Sequence, residues 1–147
     1  MNGEPITVYR SLYFRAPMSS SIKSFAVIRL ALLSGVLLLG AVCWVLTNQR
    51  GGGPQPGTDP ASLSVFRVLV PALCLGALAV AAVLRGRVAR TRDAARRDSM
   101  RLIAWSVGEG SALAGGVHYL LSGDPKLYVL GVVALLGTFI ILPLRDA

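Results

Sequence analysis

Charge is absent from residues 30 to 48, 68 to 84 and 127 to 144, and between 102 and 123 only Glu109 and His118 interrupt the apolar sequence. Runs of this length constrain the fold more than any motif. A hydrocarbon layer about 30 Å thick is crossed by roughly 20 helical residues, with about 17 to 25 tolerated, so each run can cross once. The solvent imposes the helix: lipid offers no partner for backbone N–H and C=O groups, which a single span must satisfy internally. A membrane β-barrel would show segments of about ten residues alternating in polarity, and no such alternation occurs. The expectation is an all-α integral membrane protein, a four-transmembrane-helix antiparallel bundle. Its spans fall at about 24–47, 62–84, 101–121 and 126–144, within one membrane domain of residues 24–147. An interfacial N-terminal segment, residues 1–23, precedes it.

Charge placement sets the expected orientation. Seven arginines against two aspartates lie in residues 85 to 101, Arg10, Arg15, Lys23 and Arg29 surround the entry to the first span, and Arg145 follows the last. Those regions hold twelve of the fifteen Lys and Arg residues; Arg50, Arg67 and Lys126 belong to the other side. The positive-inside rule then puts both termini and the arginine segment in the cytoplasm of a multi-pass inner (cytoplasmic) membrane protein. Residues 48 to 60, rich in Gly and Pro, read as an exposed loop, and the short segment 122 to 126 forces the last two helices into a hairpin. With Gly86 as its only helix breaker, the arginine segment is expected to continue as helix beyond the lipid. Arg85, Arg87, Arg90, Arg92, Arg96 and Arg97 are expected to contact anionic lipid headgroups. Nucleic acid is not an expected partner, because no aromatic side chain interleaves with these arginines to stack on bases.

The first apolar run of 19 residues exceeds the signal-peptide core of about 7 to 15, so the span is read as retained. Val42 spoils the likeness of the residues before Cys43 to a lipoprotein box, and Met18 offers an alternative start. Cys43 and Cys74 fall at depths about 10 Å apart, too far for a disulfide, and are read as free thiols. One histidine and two cysteines make no recognisable metal ligand set. No phosphate-cradling glycine loop, nucleophile with a placed base, or carboxylate pair is present. No cofactor and no enzymatic activity are therefore expected.

Glu109 is the residue that asks for a function. It lies about nine residues into the third span, roughly 13 Å along the axis. An aspartate at the centre of a span costs about 2.5 to 3.5 kcal/mol to insert, and glutamate should be comparable. It should therefore avoid lipid and either pair or stay protonated. Arg29, Ser34, Ser106 and Thr138 fall in the same zone and are the candidate partners, with Arg29 the natural ion pair. Small residues recur every four positions around the acid, at Gly108, Ala112 and Gly116 and at Ser106, Gly110 and Ala114, with Gly115 beside them. Such spacing lets another backbone approach closely, and the third helix is expected to be the buried one.

The remaining features read as structural. His118 and the tryptophans Trp44 and Trp105 are expected near membrane interfaces, Arg67 to snorkel to the outer surface, and Pro71 to be tolerated in the first turns of the second span. A shift of 75 residues lays Ile28, Gly35, Leu38, Gly40, Val42 and Leu46 on identical residues of the third span, a faint sign of duplication that puts Ser34 where Glu109 stands. Glu109 amid small residues resembles the proteolipid ring subunits of rotary ATPases, and four short helices with one membrane acid resemble small multidrug transporters. The dense glycine repeat of the former is absent, and the acid sits on the third helix, not on the first as in the latter. Neither membership is drawn. The expected function is that of an accessory or packing subunit of a larger membrane complex, partnered by other membrane subunits or by further copies of the chain. The alternative is a small proton- or cation-coupled transporter with Glu109 as its exchangeable site.

Overall fold

The computed structural model describes residues 19–143. Residues 1–18, with Arg10 and Arg15, and residues 144–147, with Arg145, lie outside the described residues. Regular structure among the described residues is all α-helical: α1 Ser19–Gln49, α2 Pro60–Arg90, α3 Ala94–Ser122 and α4 Lys126–Ile141. Two helices are long and apolar enough to cross a membrane, over Phe25–Gln49 in α1 and Pro60–Arg90 in α2. The 29 residues of α3 are more mixed in composition. The 16 residues of α4 extend only about 24 Å.

The helix ends follow from local chemistry. Asp59 caps α2 by accepting from the Ala61 N–H, with Pro60 in the first position, where its missing N–H costs nothing. The arginine segment is helical on both sides of a three-residue turn. There the Thr91 N–H and hydroxyl close α2 onto the Val88 and Arg87 carbonyls, and Asp93 opens α3 through the Ala95 N–H. The fourth apolar run was expected to be helical to residue 144, yet α4 stops at Ile141. Pro143 is the reason, since a residue before proline is pushed out of the α region and Leu142 sits at φ −118°, ψ 77°.

α3 is the centre of the structure and packs against each of the other three helices, while α2 also packs on α4. Phe25 of α1 meets Trp105, and Cys43 donates to the Gly116 carbonyl, so α1 runs parallel to α3. It does not pack on α2 in the way α4 packs on α3. The ten-residue connection between α1 and α2 allows this: instead of closing a hairpin it crosses to the end of α3. Gln55 N–H donates to the Leu121 carbonyl and the Arg50 guanidinium to that of Leu120, satisfying carbonyls that every helix C-terminus leaves open. Gly123 completes this end in the left-handed conformation, φ 78°, with a Cβ there falling 2.6 Å from the Gly52 carbonyl oxygen. Gly123→Ala is therefore expected to destabilise by about 1–3 kcal/mol. Limited trypsin cleavage after Arg50 should accelerate in the variant.

Side chains of modest size dominate the core. Val36, Trp105, Ala112, Leu135 and Phe139 form its main cluster. Ala81, Val88, Ala104 and Leu142 pack toward the arginine end, and Val70, Cys74 and Ala134 toward the other. All four helices leave large aliphatic side chains exposed, among them Leu30 at 68%, Val68 at 73%, Leu75 at 70%, Ile103 at 55% and Ile140 at 77%.

Candidate functional site

Glu109 lies on the flank of α3, partly buried, one turn beyond the fully buried Trp105. Among the described residues no hydrogen bond or ion pair reaches its carboxylate. The ion pair with Arg29 expected from the sequence does not form. The Arg29 guanidinium instead lies 4.4 Å from the Phe139 ring centre and 5.4 Å from that of Trp105. Depth alone does not pair them. With Phe25 beside Trp105, ring centres 6.2 Å apart, a parallel α1 brings Arg29, four residues on, level with Glu109, yet its guanidinium reaches onto the Trp105 and Phe139 rings, whose electron-rich faces attract the cation.

The other three polar candidates do not converge on the acid either. Ser34 is exposed, its hydroxyl donating to the Ala31 carbonyl 2.9 Å away on its own helix. Ser106 is exposed as well. Thr138 is fully buried, but its hydroxyl donates to the Leu135 carbonyl at 2.7 Å, the local bond that hydroxyl side chains readily make in helices.

The small residues separate into two faces. Gly108, Ala112, Gly115 and Gly116 are buried against α4 and α1. A Cβ on Gly115 would sit 2.5 Å from the Leu127 carbonyl oxygen, and one on Gly131 would sit 2.6 Å from the Cα of Ala112. Gly110, expected to pack in the same way, faces outward: nothing lies within 4 Å of the place a Cβ would take, as at Gly35 and Gly76. The residues around it follow the helical period, Ser106, Gly110, Leu113 and Val117 all being exposed.

Two expected interface residues are instead buried in the bundle. Trp105 has no exposed surface, while Trp44 is 58% exposed. His118 is 3% exposed, with its ring beside Phe66 and Nδ1 3.2 Å from the Ser122 hydroxyl. The neighbourhood of His118, Ser122 and Asp124 is not a hydrolytic triad. Ser122 donates to the His118 carbonyl and accepts from the Asp124 backbone N–H, while the Asp124 carboxylate accepts from the Lys126 N–H. A triad needs the acid on the imidazole; here each group closes a turn of the hairpin. That N–H and the Lys126 ammonium, 3.4 Å away, hold the Asp124 carboxyl below the usual carboxylate range.

Tyr128 was not singled out by sequence reasoning. Its hydroxyl donates to the Val36 carbonyl at 2.7 Å, bonding α4 to α1, and its ring end fills the space left by Gly40, while Leu39 fills that left by Gly116. A glycine on α1 facing a tyrosine on α4 is the signal that could have found it. Among the described residues no group of three or more His, Cys, Asp or Glu side chains is placed to hold a metal ion. Comparison with known protein families, curated proteins and solved structures finds no match for the chain.

Proposed function

We propose that this chain is a multi-pass protein of the inner (cytoplasmic) membrane that acts as an accessory subunit of a larger membrane complex. All four helices cross the bilayer, both termini face the cytoplasm, and Glu109 meets a polar group of a neighbouring subunit. The aliphatic side chains exposed on every helix support the embedding, since soluble monomers rarely expose contiguous apolar patches above a few hundred Å². Val36 in the main cluster and the Tyr128 bond to α1 support the first span as part of the finished fold. The short α4 suits a locally thinned bilayer.

The observation that carries the subunit reading is Glu109 itself. It is partly buried, takes no partner from the described residues, and lies next to Gly110, which leaves room for another backbone. A coupled transporter would gather polar groups around its acid, whereas Arg29, Ser34 and Thr138 each use their polar atoms elsewhere.

The test is purification of the tagged chain from native membranes in mild detergent, with mass spectrometry of what co-purifies. A stoichiometric membrane partner is expected. Glu109→Gln should weaken its retention roughly tenfold, the worth of a polar contact of about 1–2 kcal/mol between helices, while leaving the melting temperature of the isolated chain unchanged. A wild-type chain that purifies alone, or a partner retained equally by the variant, would refute the reading.

A further inference from the structure

The bend between α2 and α3 gathers five arginines that no acid among the described residues neutralises. Arg85, Arg87, Arg90, Arg92 and Arg96 are all exposed, and among the described residues none of their guanidinium groups has an ion-pair partner. Both nearby acids among the described residues are committed: Asp93 caps α3 through Ala95, and Asp98 pairs with Arg101 at 3.2 Å. Arg101 itself is 7% exposed and belongs to the fold, unlike the five.

Their height is set by helix geometry. Arg85 and Arg87 follow directly on the apolar stretch that ends at Leu84. At about 1.5 Å per residue they stand roughly 2 to 5 Å beyond it. The antiparallel register that sets Phe66 beside His118 and Ala81 beside Ala104 brings Arg96 level with Ala89, roughly 8 Å beyond Leu84. A headgroup layer is about 5 to 8 Å deep on each side of the hydrocarbon. Three guanidinium groups therefore share its depth, while Arg90 and Arg92 stand at the tip.

We infer that Arg85, Arg87 and Arg96, each on its own side of the bundle at headgroup depth, bind the phosphodiester headgroups of anionic phospholipids, with Arg90 and Arg92 adding attraction from the tip. Complementary charge selects this occupant, and guanidinium donors suit phosphate oxygens in pairs. The inference rests on the membrane reading above.

Full-length protein in a neutral detergent is titrated with phosphatidylglycerol, phosphatidylcholine and inorganic phosphate, with binding followed by thermophoresis. Phosphatidylglycerol should bind and the other two should not. Each basic residue near an anionic surface is worth about fivefold, so R85Q/R87Q/R96Q should lose affinity on the order of a hundredfold. R85K/R87K/R96K should keep most of it. All three positions are exposed, so an unchanged helical circular dichroism spectrum is expected in both variants. Equal binding of the two lipids, competition by inorganic phosphate at the same concentration, or undiminished binding in the glutamine variant would each overturn the site. Alkaline carbonate extraction of membranes separates this failure from the other. A chain that stays in the pellet yet ignores phosphatidylglycerol refutes only the lipid site, and one that leaves with the wash refutes the membrane reading.

Discussion

Gly131→Val is expected to pull α4 away from α3 and to cost about 3 kcal/mol or more, at or above the upper end for overpacked cores. The reason is that the obstruction is backbone. A Cβ at residue 131 meets the Ala112 Cα at 2.6 Å and the Ser111 carbonyl oxygen at 2.7 Å, and neither can rotate aside as a side chain could. Gly115 faces the same problem from the other helix, against Leu127 and Tyr128, so Gly115→Val should act alike. In detergent, thermal unfolding should shift down by roughly 10 °C for either variant. Gly110→Val and Gly76→Val introduce the same side chain where the space is open, and each should stay within about 1 kcal/mol of the wild type. If all four variants behave alike, close α3–α4 packing is not what holds the bundle.

Trp105→Ala should have a comparable effect by a different route. Trp105 is fully buried and meets Phe139 and Phe25 edge-on, at ring separations of 5.5 and 6.2 Å. Truncating a large core aromatic to alanine costs about 3–5 kcal/mol through lost transfer energy and the cavity left behind. It also removes one of the two rings on which the Arg29 guanidinium rests. The second contribution can be isolated with Arg29→Met, alone and combined with Trp105→Ala. A coupling of about 1–2 kcal/mol is expected if the guanidinium and the ring attract each other. Strict additivity of the two melting shifts would assign the whole Trp105 effect to packing.

These predictions turn on facts of unequal legibility in the sequence. The helices could be read because a charge-free run bounded by charges, glycines and prolines leaves few alternatives. The last helix ends early, at Ile141, because Pro143 acts on the residue before it whatever the hydropathy. That α3 is central was legible as well, since its density of glycine and alanine signals close neighbours. Which of its small residues meet those neighbours was not legible. Gly108 with Ala112 and Ser106 with Gly110 repeat at the same four-residue interval, and spacing alone gives both stripes an equal claim on the interior. Packing buried the first and turned the second outward.

The polar residues show the same division. Depth along a helix can be counted from sequence, and counting placed Arg29, Ser34, Ser106, Thr138 and Glu109 in one zone. Depth says nothing of azimuth. Ser34 faces away from α3, Thr138 bonds within its own turn, and the Arg29 guanidinium turns onto the Trp105 and Phe139 rings. His118 and Trp105 were expected at interfaces from their chemistry and depth, and were drawn inward by Phe66 and by Phe25 with Phe139.

Sequence by itself determined the number of helices, their approximate limits, the concentration of charge at one bend and the presence of a lone acid on α3. Each of these depends on interactions within a turn or two of the chain, or on the cost of moving a side chain out of water. Only the tertiary structure decided which helices touch, and that Arg29 rests on aromatic rings and leaves Glu109 without a partner among the described residues. Those outcomes depend on the relative rotation and register of separate helices, set by a few backbone contacts at Gly115, Gly123 and Gly131 that no local pattern encodes.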